Sequence, residues 1–86
     1  MQKDIPFTNL YKAILALNSI SDCEEFFSDL CTKKELDSMS RRIEAAKLLK
    51  SGETYEKIIE KTDLSSATLS RVSKAYKNGK GYKKFL

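Results

Sequence analysis

Thr54-Tyr55-Glu56-Lys57-Ile58-Ile59-Glu60-Lys61-Thr62-Asp63-Leu64-Ser65-Ser66-Ala67-Thr68-Leu69-Ser70-Arg71-Val72 is the stretch whose reading decides the fold. Two hydroxyl residues, Thr54 and Ser65, each precede a short segment with helical apolar spacing, where a side-chain oxygen can accept from the first unpaired amides. The spacing predicts one helix running to about Lys61 and a second running to about Ala75. Asp63 falls in the short turn between them, where φ is often positive, and Asp is among the few side chains that tolerate this. Ile58, Ile59, Leu64, Leu69 and Val72 are spaced to pack the two helices against each other at a steep angle. That arrangement is a helix-turn-helix.

Upstream, Leu10, Ile14 and Leu17, with Tyr11 and Leu15, recur at helical spacing and predict a helix over about residues 7–19, with Pro6 just ahead of it. Ser21-Asp22-Cys23-Glu24 has the form of a capping box and predicts a second helix carrying Phe26, Phe27 and Leu30. Thr32-Lys33-Lys34-Glu35 repeats that form ahead of the longest periodic segment, in which Leu36, Met39, Ile43, Ala46 and Leu49 share a stripe widened by Ala45 and Leu48. Gly52 suits a left-handed C-cap for that helix. Downstream, Asn78-Gly79-Lys80-Gly81-Tyr82 breaks the helical pattern and predicts a basic, flexible tail over 76–86, although the apolar Tyr82, Phe85 and Leu86 also permit a packed end. There is no strand signal. The expectation is a single all-α domain spanning 1–86, with dimerisation helices over about 4–51 and the helix-turn-helix over 54–75.

Composition narrows the chemistry. The 86 residues contain no His, which excludes Ser-His-Asp and Cys-His catalysis and imidazole metal sites. Cys23 and Cys31 lack CxxC spacing and other soft ligands, so they read as small apolar side chains in a reducing compartment, and no metal is expected. Gly52, Gly79 and Gly81 form no phosphate loop. These absences predict a protein that is not an enzyme and needs no cofactor. No apolar run approaches the roughly 18 to 20 residues of a membrane span, and Met1-Gln2-Lys3-Asp4 leads into no signal-peptide core, so no membrane partner and a cytoplasmic location are expected. A lone chain of 9.8 kDa would bury only about 60–65% of its unfolded surface, and a second copy would relieve that.

Charge is segregated. Up to Glu53 there are eight basic and nine acidic side chains, whereas from Thr54 onward there are eight basic and three acidic, with no acid after Asp63. A basic run of this kind is the electrostatic footprint of a polyanion-binding segment. On the second helix, Ser65, Ser66, Ala67, Thr68, Ser70 and Arg71 surround the inward-facing Leu69 and Val72. Small side chains let the helix N-terminus approach base edges, hydroxyls donate to phosphate or base, and the Ala67 methyl can meet a thymine methyl. Thr54 and the N-terminal amides of both helices add phosphate affinity. Arg71 suits guanine or phosphate, while Lys57, Lys74 and Lys77 suit the sugar-phosphate backbone.

Leu30-Cys31-Thr32-Lys33-Lys34-Glu35-Leu36, Arg42-Ile43-Glu44, Leu48 to Tyr55 and Ala67 to Val72, taken in order, resemble the Trp repressor superfamily. The ending Gly79-Lys80-Gly81-Tyr82 is similar to its YerC/YecD-like branch. The resemblance implies an intertwined, all-helical homodimer with two reading heads that address half-sites about one helical turn apart on double-stranded DNA. It also implies a small-molecule corepressor held by the matching Arg42 and Arg71, with Thr32 and Thr68 as polar contacts. Two departures argue against tryptophan as that ligand: Val72 stands where the repressors have a glycine, and Ala75 where they have a small hydroxyl residue. Overfilling a packed site costs about 1–3 kcal/mol. The remaining alternatives are another ligand, or none. The expected function is sequence-specific transcriptional regulation, with repression by occluding a palindromic operator. A protein-interaction adaptor that keeps the fold without reading DNA is the alternative.

Overall fold

A computed structural model describes residues 3–86; Met1 and Gln2, part of the stretch read for a leader, lie outside the described residues. Among these residues there are six helices and no strand: α1 (Thr8–Leu15), α2 (Ile20–Leu30), α3 (Lys33–Lys50), α4 (Tyr55–Thr62), α5 (Ser66–Asn78) and α6 (Gly81–Phe85). The chain divides into two compact units, one ending at Thr32 and one spanning Lys33–Leu86. Within the second unit the long α3 packs with both helices of the helix-turn-helix.

In the first unit, α1 stops earlier than its apolar spacing suggests. Ala16 and Leu17 close it through tighter three-residue bonds to Ala13 and Ile14, at 3.2 and 3.1 Å. The reason lies just beyond, where Ser19 caps α2 by accepting from the Asp22 amide at 3.0 Å, and the Asp22 carboxylate accepts from the Asn18 amide at 3.0 Å. The cap is thus Ser19, two residues before Ser21. Ser19 and Asp22 share the same three-residue separation, and the earlier start lets Asp22 meet both the helix dipole and a free amide. Neither α1 nor α2 contains a buried residue. Ile5, Leu15 and Ile20 are each more than three-quarters exposed, so the apolar faces of this unit are unsatisfied in a single chain.

The second unit holds the core. Ala45 and Ala46 of α3, Ile58 of α4, Leu64 of the turn, and Leu69 and Val72 of α5 are buried together. The two alanines let α4 and α5 approach the α3 backbone closely, and this places them deeper than Ile43, which is 45% exposed. Gly52, at φ 83°, ends α3 as expected: its amide donates to the Leu49 carbonyl at 3.0 Å, and the Glu53 amide donates to Leu48 at 3.1 Å. The second bond requires the left-handed conformation, which glycine adopts without strain.

The end of the chain departs from the expected flexible tail. The α5 helix continues to Asn78, and after two residues the chain forms α6, which lays Tyr82 and Leu86 against the core. These two residues are four apart, so they share one face of the helical turn. Lys50 secures the end by donating from Nζ to the Leu86 carbonyl at 2.8 Å, and Lys83 donates to the Lys77 carbonyl at 2.9 Å. Gly79 permits the return, because a Cβ there would lie 2.6 Å from the Ala75 carbonyl oxygen.

Candidate nucleic-acid interface

The helix-turn-helix is built from local caps and then locked by long-range polar contacts. Thr54 accepts from the Lys57 amide at 3.3 Å, and Ser65 accepts from the Thr68 amide at 3.1 Å, so both N-caps stand where their side-chain chemistry puts them. Asp63 has φ 56° and donates its amide to Ile59 at 2.8 Å, which turns the chain sharply out of α4. Thr62, 3% exposed, holds this corner. Its hydroxyl donates to the Ile58 carbonyl at 2.7 Å and accepts from the Leu64 amide at 3.4 Å.

Two further contacts tie the pair to its surroundings. Arg41 of α3 donates from Nη1 to the Thr62 carbonyl at 2.6 Å, while its Nε is paired with Asp37 at 2.8 Å. The hydrogen bond and the charge of Asp37 raise the Arg41 pKa above its ordinary value. The Tyr55 hydroxyl donates to Ser73 Oγ, joining the first turn of α4 to the middle of α5. Sequence reading missed Arg41, Tyr55, Thr62 and Ser73 as parts of the head. Only the four-residue spacing of Asp37 and Arg41 hinted at any of them.

Of the residues expected to meet DNA, Thr54, Lys57, Ser65, Ser66, Ala67, Ser70, Arg71, Lys74 and Lys77 are exposed and Thr68 is half-buried. Leu69, Val72 and Ser73 point into the unit, so α5 presents an outer face of small and basic side chains. Ser65 Oγ donates to Thr68 Oγ1 at 3.0 Å, which leaves the Thr68 hydroxyl hydrogen available to a partner outside the chain. Among the described residues, none of the cations of Lys57, Arg71, Lys74 and Lys77 is engaged in an ion pair. Their charge is therefore not offset by a neighbouring carboxylate.

The residues expected to hold a corepressor are placed as follows. Thr32 is exposed and belongs to the first unit, whereas Arg42, Thr68 and Arg71 belong to the second. Arg42 lines a cavity of about 280 Å³ together with Met39, Ile43 and Tyr82. Val72 is 3% exposed and is a core residue of the head.

An all-helical unit that braces a capped helix pair and exposes a basic outer face on the second helix has the architecture of helix-turn-helix DNA-binding regulators. The chain belongs to the Trp repressor protein family, which it matches over residues 6–86. It is 43% identical over 70 residues to YerC, an uncharacterised protein of Bacillus subtilis (strain 168), a match covering 81% of this chain and 67% of YerC. It also resembles the crystal structure of a Trp-repressor-like protein from Staphylococcus aureus, with a TM-score of 0.86 and 40% identity, over 90% of this chain and 78% of that one. A TrpR-like protein from Eubacterium eligens ATCC 27750 is similar at a TM-score of 0.85 and 43% identity, over 88% and 79% of the two chains. The family consists of regulatory DNA-binding proteins and not of enzymes. No helix among the described residues is long and apolar enough to cross a membrane.

Proposed function

We propose that this chain acts as a homodimeric, sequence-specific transcriptional regulator in the cytoplasm, which represses by placing the first two turns of α5 in the major groove of a palindromic operator. The observation that carries this reading is the outer face of α5. Ser66, Ala67, Ser70 and Arg71 lie at the exposed N-terminal half of a helix whose inner face is immobilised in the core. Short side chains permit close approach to base edges, Arg71 supplies the forked donor suited to guanine or phosphate, and Lys57, Lys74 and Lys77 supply backbone contacts. Thr54, Ser65 and Thr68 position the helix N-termini and their amides against phosphates. The unsatisfied apolar faces of α1 and α2 supply the reason for a second copy, since burying them removes large side chains from water.

Selection of bound duplexes from a random DNA pool at about 150 mM salt, where non-specific binding is weak, tests this reading. Recovery of a palindromic site is the expected result. Absence of any preferred duplex would overturn it in favour of a protein-interaction adaptor. On the selected site, Arg71→Ala should weaken binding by about 1–3 kcal/mol and relax specificity at one position of each half-site if it contacts a base. Lys74→Ala should weaken binding to specific and random duplexes alike and reduce the salt slope by about one phosphate.

A further inference from the structure

The end of the chain carries more than positive charge. Lys80, Lys83, Lys84 and Phe85 are exposed, but Tyr82 between them is half-buried against the core. Tyr82 lines the cavity shared by Met39, Arg42 and Ile43 of α3, and also a groove of about 450 Å³ that includes Ala75 and Gly79 at the end of α5. Tyr82 thus packs against the core and borders two spaces, one lined by α3 and one by the C-terminal end of α5. The segment that carries it is fastened to both neighbours, to α3 through the Lys50 contact with Leu86 and to α5 through the Lys83 contact with Lys77. Lys83 also lies 5.9 Å from the centre of the Tyr76 ring on α5. Its ammonium is committed to the chain's own carbonyl and ring, which argues that this part of α6 braces the head rather than gripping phosphate.

We propose that Tyr82 is a built-in aromatic ligand of the head: its phenol ring, delivered by α6, packs against the core as one wall of the cavity that Arg42 also lines and sets α5 for operator binding, so that no free aromatic corepressor is required. The proposal rests on the DNA-binding reading above and deepens it. A ligand can shift a conformational equilibrium only through its differential affinity for the two states, and a free one must also be present near its dissociation constant. A ring attached a few residues beyond α5 is always present at an effective concentration of millimolar or more. Its contribution is the burial of an aromatic face against the core, which is the same physical service that a bound aromatic molecule would perform.

The test uses the full chain with Tyr82→Gly, which empties the space of the ring, and p-cresol, which is the missing side chain as a free molecule. Tyr82→Gly should lose about tenfold or more in affinity for the selected duplex while keeping its affinity for random duplex and its salt slope. Millimolar p-cresol should restore the loss, Tyr82→Phe should bind nearly as the parent does, and L-tryptophan should leave the parent unchanged. Independently of DNA, p-cresol should raise the thermal midpoint of Tyr82→Gly and leave that of the parent unmoved. This second readout separates the two readings: a parent that selects no duplex overturns the regulator, whereas a variant that p-cresol does not stabilise overturns the built-in ligand. Full specific affinity in Tyr82→Gly, or tryptophan-enhanced binding by the parent, would also overturn it. If Tyr82→Gly does not fold, Tyr82→Leu keeps apolar bulk without the flat ring. It should fold and bind the selected duplex more weakly than Tyr82→Phe, and equality of the two would refute the proposal.

Discussion

Replacing Thr62 with Val sets two effects against each other at the corner of the helix-turn-helix. The side chain is 3% exposed, and Val has nearly the same shape, so the exchange of hydroxyl for methyl adds apolar surface to the core. The cost falls on the neighbours. The Ile58 carbonyl retains its helical amide partner when the Thr62 hydroxyl at 2.7 Å is removed, but the Leu64 amide, 3.4 Å from that hydroxyl, is left buried with no acceptor. An unpaired buried amide costs about 1–3 kcal/mol, and the length of this bond argues for the lower half of that range. The expected net destabilisation is about 1–2 kcal/mol. Urea unfolding at fixed protein concentration measures it, because association with a second copy would make the midpoint depend on concentration. For a chain of this size the midpoint should fall by on the order of 1 M, with an unchanged slope. A Thr62→Val midpoint at or above that of the parent would refute the reasoning and show that the corner is held by packing alone.

Gly79→Ala would bring a Cβ to 2.6 Å from the Ala75 carbonyl oxygen, a backbone atom that cannot swing aside. We expect destabilisation by about 1–3 kcal/mol in the same unfolding assay, and an unchanged midpoint would place the return of the chain elsewhere. Arg41 bears on pH dependence. Its pKa is raised in the folded protein through the hydrogen bond and charge of Asp37, so its contribution is fully present below the unfolded-state value and is lost only as pH rises through the still higher folded one. That window lies beyond ordinary alkaline conditions, so the difference in stability between the parent and Arg41→Gln should stay constant between about pH 6 and 9. A difference that shrinks over this range would assign the Arg41 contact to a different titrating partner.

Much of the second unit was legible in the sequence. The caps at Thr54 and Ser65, the left-handed Asp63, the glycine stop at Gly52 and the inward set Ile58, Leu64, Leu69 and Val72 all stand as spacing and side-chain chemistry place them. The start of α3 at Lys33 likewise follows Thr32 directly. In the first unit the cap fell two residues out of register, because Ser19-Asp22 and Ser21-Glu24 offer the same signature and only the bond to Asn18 separates them. On α3 the apolar stripe with its widening residues includes both the buried Ala45 and Ala46 and the 45% exposed Ile43, and periodicity does not rank them, since the depth of a position depends on how closely its partners approach. Of the candidate site, the exposed face of α5 was readable from helical periodicity, whereas the cavity that Tyr82 lines together with Met39, Arg42 and Ile43 was not.

What the amino-acid order determined by itself is therefore much of what acts within about one helical turn in the second unit: the caps at Thr54 and Ser65, the stop at Gly52, the positive φ of Asp63 and the polar face of α5. These depend on hydrogen bonds and rotations among residues three or four apart. What only the tertiary structure decided is how distant segments meet. Arg41 reaches a carbonyl 21 residues away, Lys50 reaches one 36 residues away, and Tyr82 returns to pack against the core. No local pattern encodes such contacts, because their energies arise only after the intervening chain has folded and brought the partners together.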